Sequence, residues 1–272
     1  MATAHERFPR PSLMGVVNVT PDSFSDGGAF LDPDAAAGRV LALVADGAAI
    51  VDLGGESTRP GSEPVSLDEE LRRVVPVLER LAGGAPIAID TCKAEVARRA
   101  LALGAELVND VTALRGDPAM AGVVAEAGCL VCLMHMQGTP RTMQVAPRYG
   151  DVVSEVSAFL EQRLAFCVAA GIPEERIVLD PGIGFGKAHE HNLALTRGLH
   201  SIVALGRPVL LGLSRKSMVG RLLAGPEPRR GSDAASVGAA VFALAQGVTL
   251  FRVHDVRLHA DALTVAALLA DG

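Results

Sequence analysis

The sequence predicts a single (β/α)8 barrel, the TIM-barrel fold, with its active site at the carboxyl ends of the strands. Three observations support this fold: short apolar segments occur eight times, helical patterns alternate with them, and the chain has 272 residues. Strands joined by helices form a parallel sheet, and eight such units at this length favour a closed barrel over a doubly wound sheet. No linker divides the chain, so we expect an N-terminal extension at 1–12 and one domain at 13–272.

The predicted strands are apolar runs rich in β-branched residues, as expected for strands buried on both faces. Each run ends where a polar residue or a glycine-rich loop begins. In chain order the predicted strands span residues 13–17, 49–53, 86–89, 106–108, 130–134, 176–179, 208–213 and 249–253.

Helical patterns fill most of the intervals between these strands and follow the last one. Ser66 and Glu69 form a capping-box pattern at the start of the second helix, and glycines follow several of the predicted ends. The predicted helices span residues 34–46, 66–81, 93–103, 118–127, 151–170, 192–205, 234–246 and 258–270.

Composition argues against several classes of partner. The formal net charge is −6 and no basic run is longer than Arg229-Arg230, so we expect no nucleic acid or anionic membrane as a partner. Residues 1–13 lack the apolar core of a signal peptide and no run is long enough to span a bilayer, which predicts a cytoplasmic protein. Cys129 and Cys132 lack a second ligand pair, so we interpret them as buried thiols rather than a zinc or redox site.

The polar residues at the strand ends should share one site, because the carboxyl ends of barrel strands meet at a common mouth. They are distant in sequence and differ in chemistry, yet they recur at one strand end after another. The predicted mouth residues are Asn18, Glu56, Asp90, Asn109, His135, Asp180, Lys216, Arg252 and His254.

A glycine-rich stretch, residues 180–187, follows the sixth predicted strand and first suggests a phosphate-binding loop. Its glycines are spaced G-x-G-x-G, however, and Pro181 stands where a Walker-type loop needs its first glycine. Neither standard phosphate fingerprint fits, so we expect another role for this stretch.

Two long loops and several shorter motifs resemble those of dihydropteroate synthase, the folate-pathway enzyme inhibited by sulfonamides. The resemblance extends from Met14 to Val256. Its motifs are N-V-T-P-D-S-F-S-D-G-G at 18–28, G-G-E-S-T-R-P-G at 54–61, D-T-C-K at 90–93, N-D at 109–110, L-M-H-M-Q-G at 133–138, D-P-G-I-G-F-G-K at 180–187, S-R-K-S at 214–217 and R-V-H-D at 252–255.

The resemblance implies that p-aminobenzoate condenses with (7,8-dihydropterin-6-yl)methyl diphosphate to give 7,8-dihydropteroate and diphosphate. It assigns the pterin to Asp90, Asn109, Asp180 and Lys216. A carboxylate can accept two adjacent N–H groups of the 2-amino-4-oxo edge, which suits Asp180 to that role.

The resemblance places the diphosphate at Asn18, Arg252 and His254, and it makes Asn18 a ligand of Mg²⁺. Arg252 and His254 alternate on the last strand, so both should point toward the barrel interior or its mouth. A metal ion suits a diphosphate leaving group because it neutralises the charge that grows as the C–O bond breaks.

The second substrate, p-aminobenzoate, should bind where the two long loops meet the turn after Asp180. By resemblance its neighbours are Phe24, Thr58, Pro60 and Phe185, with Ser217 near its carboxylate.

The chemistry that this family performs needs no protein nucleophile, because the dihydropterin can expel diphosphate before the aniline nitrogen attacks. By resemblance, Lys216 tunes the pterin, while Asp22 and Arg59 order the closed loops. With Lys216 and Arg59 in these roles, catalysis is mainly positioning and electrostatics. Lys187 is expected to be a turn or surface residue.

Two alternatives are a methyltetrahydrofolate-binding methyltransferase domain and a non-catalytic pterin-binding paralogue. The complete loops at 18–28 and 54–61 argue against the first. The presence of Asn18, Arg252 and His254 argues against the second. The family commonly forms homodimers, which the resemblance implies here too.

Overall fold

The computed structural model of the chain describes residues 2–20, 32–224 and 231–270. Eight parallel strands form one sheet in the order β6-β5-β4-β3-β2-β1-β8-β7. Strands that follow one another in sequence pair within this order, and β1 also pairs with β8, the last strand of the chain. The strands are β1 (Ser12–Asn18), β2 (Ile50–Gly54), β3 (Ile87–Asp90), β4 (Leu107–Asp110), β5 (Leu130–Met134), β6 (Ile177–Asp180), β7 (Leu210–Leu211) and β8 (Leu250–Val253).

The sheet closes between its first and last members in that order. Leu179 of β6 forms a parallel bridge with Val209, just before β7, and its N–H donates to Pro208 O at 2.9 Å. The predicted (β/α)8 barrel is confirmed. The seventh strand is shorter than predicted, since only two of its residues hold regular strand geometry.

Helices surround the described barrel. They are α1 (Ala4–Arg7), α2 (Pro33–Ala45), α3 (Leu67–Leu81), α4 (Ala94–Ala102), α5 (Met120–Ala127), α6 (Val152–Ala169), α7 (His189–Arg197), α8 (Leu199–Val203), α9 (Ser217–Ala224), α10 (Asp233–Ala245) and α11 (Val256–Ala270), with a 3-10 turn at Glu174–Arg176. The apolar faces of the helices pack on the outward side chains of the strands, which forms the main core.

Two helix predictions need correction. The single helix predicted at 192–205 is two helices, α7 and α8, that meet at Gly198, where an added Cβ would lie 2.8 Å from Val153 Cγ2 of α6. Only half of the predicted capping box forms: Ser66 Oγ accepts from the Glu69 N–H at 3.2 Å, while the Glu69 carboxylate pairs with Arg72 and Arg73 instead.

The floor of the barrel is filled by apolar side chains, and the N-terminal segment belongs to it. Phe8 and Ala4 are fully buried there against the inward side chains of the strands. Arg7 fastens the segment from outside by donating to Glu106 and to Ala49 O. The floor residues contributed by the strands are Met14, Ile50, Ala88, Leu107, Leu130, Cys132, Val178, Leu210 and Leu250.

The polar groups of the site lie on the same faces as the floor residues, one step nearer the mouth. Side chains alternate along a strand, so a residue two positions beyond an inward residue also points inward. Asp52, Asp90, Asn109, Asp180 and Arg252 each stand two positions after a floor residue. The strand pattern therefore carries these side chains into the barrel above an apolar plug.

Candidate active site

A cavity of about 790 Å³ opens at the carboxyl ends of the strands. Its walls come from the ends of β1 and β8, the loop after β2, the turn after β6 and the start of α9. Among the predicted site residues, the cavity is lined by Asn18, Thr58, Arg59, Pro60, Phe185, Lys216, Ser217, Arg252 and His254.

Three predicted pterin residues lie below this cavity rather than on its wall. The side chains of Asp90, Asn109 and Asp180 are buried, with 5%, 4% and 7% of the residue surface exposed. Burial raises the pKa of Asp180 above its ordinary value, and the positive charge of Lys216 opposes that shift. Asp180 Oδ1 accepts from Gly182 N–H at 2.7 Å, and among the described residues no cationic side chain donates to this carboxyl group, so it can accept N–H donors from a ligand.

Asp52, which the sequence prediction did not include, connects several of these groups. It is fully buried, and its Oδ2 accepts from Arg252 Nε at 2.7 Å and from Asn109 Nδ2 at 3.0 Å. Arg252 also donates to Asp90 Oδ2 at 3.3 Å. Burial and the Asp52 carboxylate raise the pKa of Asp90, with Arg252 opposing. The position of Asp52, two residues after the inward-facing Ile50, could have indicated from the sequence that this carboxylate points into the barrel.

The predicted diphosphate residues stand on one side of the cavity. Asn18 is the last residue of β1 and Arg252 lies on β8, while His254 follows β8. His254 Nδ1 is 3.0 Å from Ser214 Oγ, which orients the imidazole from the segment after β7. The three side chains lie together at one edge of the mouth.

The loop after β2 forms another wall and is held by hydrogen bonds at its base and near its tip. At its base, Arg73 Nη1 of α3 donates to Gly55 O at 2.8 Å. Near its tip, Gly61 N–H donates to Pro140 O at 3.1 Å. Thr58 and Pro60 are thereby brought to the cavity, although no sequence pattern predicted the contact with the 138–141 segment.

A partly buried ion cluster supports the base of that loop. Lys93 Nζ binds the carboxylates of Glu56 and Glu70, and Thr91 Oγ1 donates to Glu70 Oε1 at 2.6 Å. Glu70 is on α3 and is fully buried, so it supplies a fixed anion to the D-T-x-K motif. Glu56, a predicted mouth residue, therefore pairs with Lys93 in this structure.

The turn after β6 carries Phe185, whose ring faces the ammonium of Lys216 at 4.8 Å. Lys216 Nζ also donates to Ile183 O of the same turn. Burial lowers the pKa of Lys216 to about 8, with Asp180 opposing that shift. Lys216 thus joins the segment after β7 to the turn after β6.

The expectation that Lys187 is a surface residue is wrong. It is 2% exposed, and its Nζ lies 2.8 Å from His135 Nδ1 and 2.9 Å from Gly182 O. The side chain folds back beneath its own turn instead of reaching into solvent. The glycine-rich sequence around Lys187 did not predict the direction of its side chain.

Two predicted residues, Asp22 and Phe24, lie outside the described residues. Burial raises the pKa of the Cys92 thiol to about 12, so this cysteine is protonated at neutral pH. The sequence contains only three lysines. Those lysines, Lys93, Lys187 and Lys216, all belong to the mouth of the barrel.

A sequence profile of the family described as "Pterin binding enzyme" matches residues 14–254. Among curated proteins, the dihydropteroate synthase of Neisseria meningitidis serogroup C is 48% identical over 258 residues, which cover 93% of this chain and 91% of that protein. The dihydropteroate synthase of Escherichia coli K12 is 46% identical, with 94% of this chain and 90% of that protein covered. The chain belongs to the dihydropteroate synthase family.

Solved structures of this family share the fold over nearly the whole chain. Xanthomonas albilineans dihydropteroate synthase with 4-aminobenzoic acid gives a TM-score of 0.88 at 47% identity, covering 97% of this chain and 94% of that one. The Yersinia pestis enzyme in a sulfonamide drug complex gives 0.90 at 43%, covering 97% and 95%. The Xanthomonas enzyme with 7,8-dihydropteroate gives 0.84 at 43%, covering 97% and 95%. The expected family and its transferase activity are confirmed.

Proposed function

We propose that the protein condenses p-aminobenzoate with (7,8-dihydropterin-6-yl)methyl diphosphate in the described cavity and releases diphosphate and 7,8-dihydropteroate. One observation carries the proposal. Anion-binding groups and predicted p-aminobenzoate neighbours line the same cavity, directly above buried groups that can accept the N–H donors of a pterin. Related structures contain 4-aminobenzoic acid and 7,8-dihydropteroate, a substrate and the product of this reaction, which supports the proposed reaction.

The pterin would bind at the bottom of the cavity, where it would contact Asp180, Asn109 and Asp90. Hydrogen bonds to a charged partner contribute about 1.5–3 kcal/mol each, so two such bonds to Asp180 would dominate pterin affinity. The carboxyl pKa of Asp180 is raised by burial, and N–H donors from the ligand would favour its ionised form. Lys216, close to both Asp180 and the cavity, would donate to the pterin carbonyl or a ring nitrogen.

The diphosphate would bind at the edge formed by Asn18, Arg252 and His254. Two nitrogens of the Arg252 guanidinium face Asp52 and Asp90, which holds the group in a fixed orientation. A fixed guanidinium loses little entropy when it binds an anion, so it favours the leaving group without reorganising.

Mg²⁺ fits this edge through Asn18. The described residues contain no group of three or more His, Cys, Asp or Glu side chains that could hold a metal ion. Mg²⁺ needs no such group, because it keeps several waters and is commonly held by one or two protein oxygens plus substrate phosphates. The Asn18 Oδ1 atom would be the protein ligand, and the ion would supply neutralisation of diphosphate charge.

p-Aminobenzoate would lie between Thr58 and Pro60 on one side and Phe185 on the other. Ser217, an exposed residue that opens α9, would meet its carboxylate, where the N–H groups of a helix N-terminus favour negative charge. Sulfonamides are arylamines of similar shape, so the same position would accept them in this chain.

The residues act by positioning and electrostatics. Arg252 and His254 stabilise the departing diphosphate, Asp180 and Asn109 hold the pterin ring, and Arg59 orders the loop after β2. The neutral aniline nitrogen then attacks the exocyclic carbon and loses one proton to solvent, which leaves the neutral secondary amine of the product. No described side chain needs to form a covalent bond, since the dihydropterin itself can expel the leaving group.

The decisive experiment mixes the purified protein with both substrates and Mg²⁺ and measures diphosphate and dihydropteroate. Equal amounts of both products, formed only when p-aminobenzoate is present, support the proposal. A pterin-binding paralogue would bind the pterin and release no diphosphate. A methyltetrahydrofolate-binding domain would bind that folate more tightly than the pterin diphosphate. Either result would refute the proposed function.

We also propose that the chain is a homodimer that associates through α10 and α11. These neighbouring helices expose large apolar side chains, which monomeric proteins usually keep scattered. The exposed fractions are 45% for Phe242, 42% for Leu258, 56% for Val265, 72% for Leu268 and 81% for Leu269. Light scattering should give twice the chain mass, and a Leu268→Glu and Leu269→Glu double variant should give the single mass.

We place this homodimer in the cytoplasm, with residues 13–272 as one domain and residues 1–12 as an extension that packs into the barrel floor and ends at the first residue of β1. The described helices include none that is long and apolar enough to cross a membrane. The four cysteines are free thiols, which suits a reducing compartment. Cell fractionation with an antibody against the chain tests the location.

A further inference from the structure

The turn between β6 and α7 is pressed against the segment that follows β5. Gly182 and Gly186 have φ angles of +66° and +63°, in the left-handed region. A Cβ on Gly182 would lie 1.9 Å from His135 O, and one on Gly186 would lie 2.4 Å from Gln137 O. The backbone of this turn therefore has one available position, and its carbonyl groups need partners there.

Lys187 supplies those partners from inside the turn. Its Nζ donates to Gly182 O at 2.9 Å and to Phe185 O at 3.1 Å, and it lies 2.8 Å from His135 Nδ1. An ammonium that is 2% exposed is costly unless each proton has an acceptor. Here two carbonyls of the turn, one imidazole nitrogen and, at 3.4 Å, His135 O provide acceptors for all three protons.

The same turn also forms part of the cavity wall. Ile183 O, between the two carbonyls held by Lys187, accepts from Lys216 Nζ, and the Phe185 ring lies 4.8 Å from that ammonium. Asn192 Oδ1 accepts from Gly184 N–H at 2.6 Å and fixes the crest of the turn to α7. The positions of Phe185 and Lys216 thus depend on the same few residues of backbone.

We propose that Lys187 is a positioning residue, which holds the turn so that Phe185 and Lys216 face the substrates. It acts through the backbone of the turn and not by contact with the reacting atoms. The inference rests on the proposed roles of Phe185 and Lys216. It extends them by naming the internal group that sets their geometry.

This arrangement tolerates a change in the protonation of Lys187. Burial lowers the pKa of Lys187 to about 7, with Asp180 opposing and Lys216 adding to the shift. Burial and the nearby charges of Lys187 and Arg115 lower the pKa of His135 to about 3, so the imidazole is neutral. An ammonium donates to both carbonyls and to Nδ1; a neutral amine donates to both carbonyls and accepts from Nδ1–H.

The test compares Lys187→Met, which keeps the length and removes the donors, with Lys187→Arg, which keeps donors and charge. We expect Lys187→Met to raise the KM for p-aminobenzoate about tenfold or more, the effect of one lost charged hydrogen bond. The KM for the pterin diphosphate should rise by a smaller factor, because Lys216 is only one of several groups that hold the pterin. Amide exchange within 182–187 should accelerate, and Lys187→Arg should restore part of both effects. Arg98→Met, which removes an exposed partner of Glu95, is the control.

A loss of activity that merely follows the folded fraction, with both KM values and turn exchange unchanged, would overturn the proposal. If Lys187→Met does not fold, Lys187→Gln keeps amide donors without charge and must show the same KM split. Phe185→Leu separates the two levels of the argument. If Phe185→Leu raises the KM for p-aminobenzoate and Lys187→Met does not, the positioning role of Lys187 is refuted and the role of Phe185 stands. If Phe185→Leu has no effect, the role of Phe185 is refuted. The rate of amide exchange in the turn then tests on its own whether Lys187 holds the turn.

Discussion

Arg252 Nε donates to Asp52 Oδ2 at 2.7 Å inside the barrel, so a group expected to hold the leaving diphosphate is itself held by a buried carboxylate. Asp52 is fully buried, while 25% of the Arg252 side chain is exposed. The guanidinium therefore has an interior side fixed by the protein and an outer side open toward the cavity. This pair separates the work of orienting a charge from the work of binding a ligand.

Replacing Asp52 by Asn should both destabilise the protein and weaken diphosphate binding. Breaking a buried pair leaves an uncompensated charge; because Asp90 remains near Arg252, we expect the lower end of the usual range, about 3 kcal/mol. Urea unfolding measures the loss, and the KM for the pterin diphosphate should rise. Asp34→Asn removes an exposed partner of Arg80 and should cost less than about 1 kcal/mol. Equal effects of the two changes would contradict this account.

Asp180→Asn should reduce pterin affinity about tenfold to a hundredfold, as expected when a carboxylate loses its charge in one or two hydrogen bonds. Titration calorimetry with a non-reactive pterin measures the change. Asp151→Asn is the matched control, since Asp151 is exposed, caps α6 and is not one of the residues that line the cavity. Full turnover and unchanged affinity in Asp180→Asn would show that the pterin edge binds elsewhere.

The three lysines should titrate separately when the protein is labelled with ¹³C at lysine Cε. Although burial opposes the shift, the pKa of Lys93 should lie above the ordinary lysine value because its side chain bonds to Glu56 and Glu70. We expect midpoints at about 8 for the pKa of Lys216 and about 7 for that of Lys187. In Asp180→Asn both should fall further, because Asp180 raises the pKa of each lysine. Two midpoints near the ordinary lysine value would contradict the burial of these amines.

The same shifts predict how stability depends on pH. The folded-state pKa of Lys187 and of Lys216 lies below that of an unfolded lysine, so the unfolded chain binds more protons in between. The contribution of this pair to stability is therefore present above about pH 10 and is lost as pH falls through about 8 and about 7. Lys187→Met should flatten that part of the curve of unfolding free energy against pH.

Glu70→Gln should loosen the loop after β2 without touching a substrate. Glu70 is a buried anion that accepts from Lys93 and Thr91, and an added Cβ on Gly55 would lie 3.0 Å from its Cγ, so the loop base rests directly on it. We expect the KM for p-aminobenzoate to rise about tenfold, for one charged bond weakened by about 1.4 kcal/mol. Glu95→Gln on α4 is the control, and an unchanged KM in Glu70→Gln would refute the link.

Phe8→Ala should destabilise the protein by about 3–5 kcal/mol, the usual cost of removing a buried aromatic ring, and should leave both KM values unchanged. The reason is its place in the barrel floor, at the end opposite the site. His5→Ala on the exposed side of α1 is the control. A change in either KM at full folding would show that floor and mouth are coupled.

Period and spacing predicted the barrel because each strand is a continuous apolar run and each helix an amphipathic or Ala-rich one. They also predicted the strand-end residues such as Asn109 and Arg252, since chemistry at a strand end is visible in sequence. They could not predict the direction of Lys187, because a long side chain after a glycine-rich turn can fold either way. Gly198, where α7 ends, was equally hidden, since the close approach of α6 is a tertiary contact.

Lysine is absent from the outer surface of this protein, because all three amines lie at the mouth and the remaining cationic side chains are arginine and histidine. Amine-directed reagents would therefore meet no lysine on the outside of the barrel. Acylation or cross-linking of lysine side chains would favour the partly exposed Lys93 and Lys216, next to the substrates. Such a preparation would lose activity in proportion to its lysine labelling, and bound substrates would protect it.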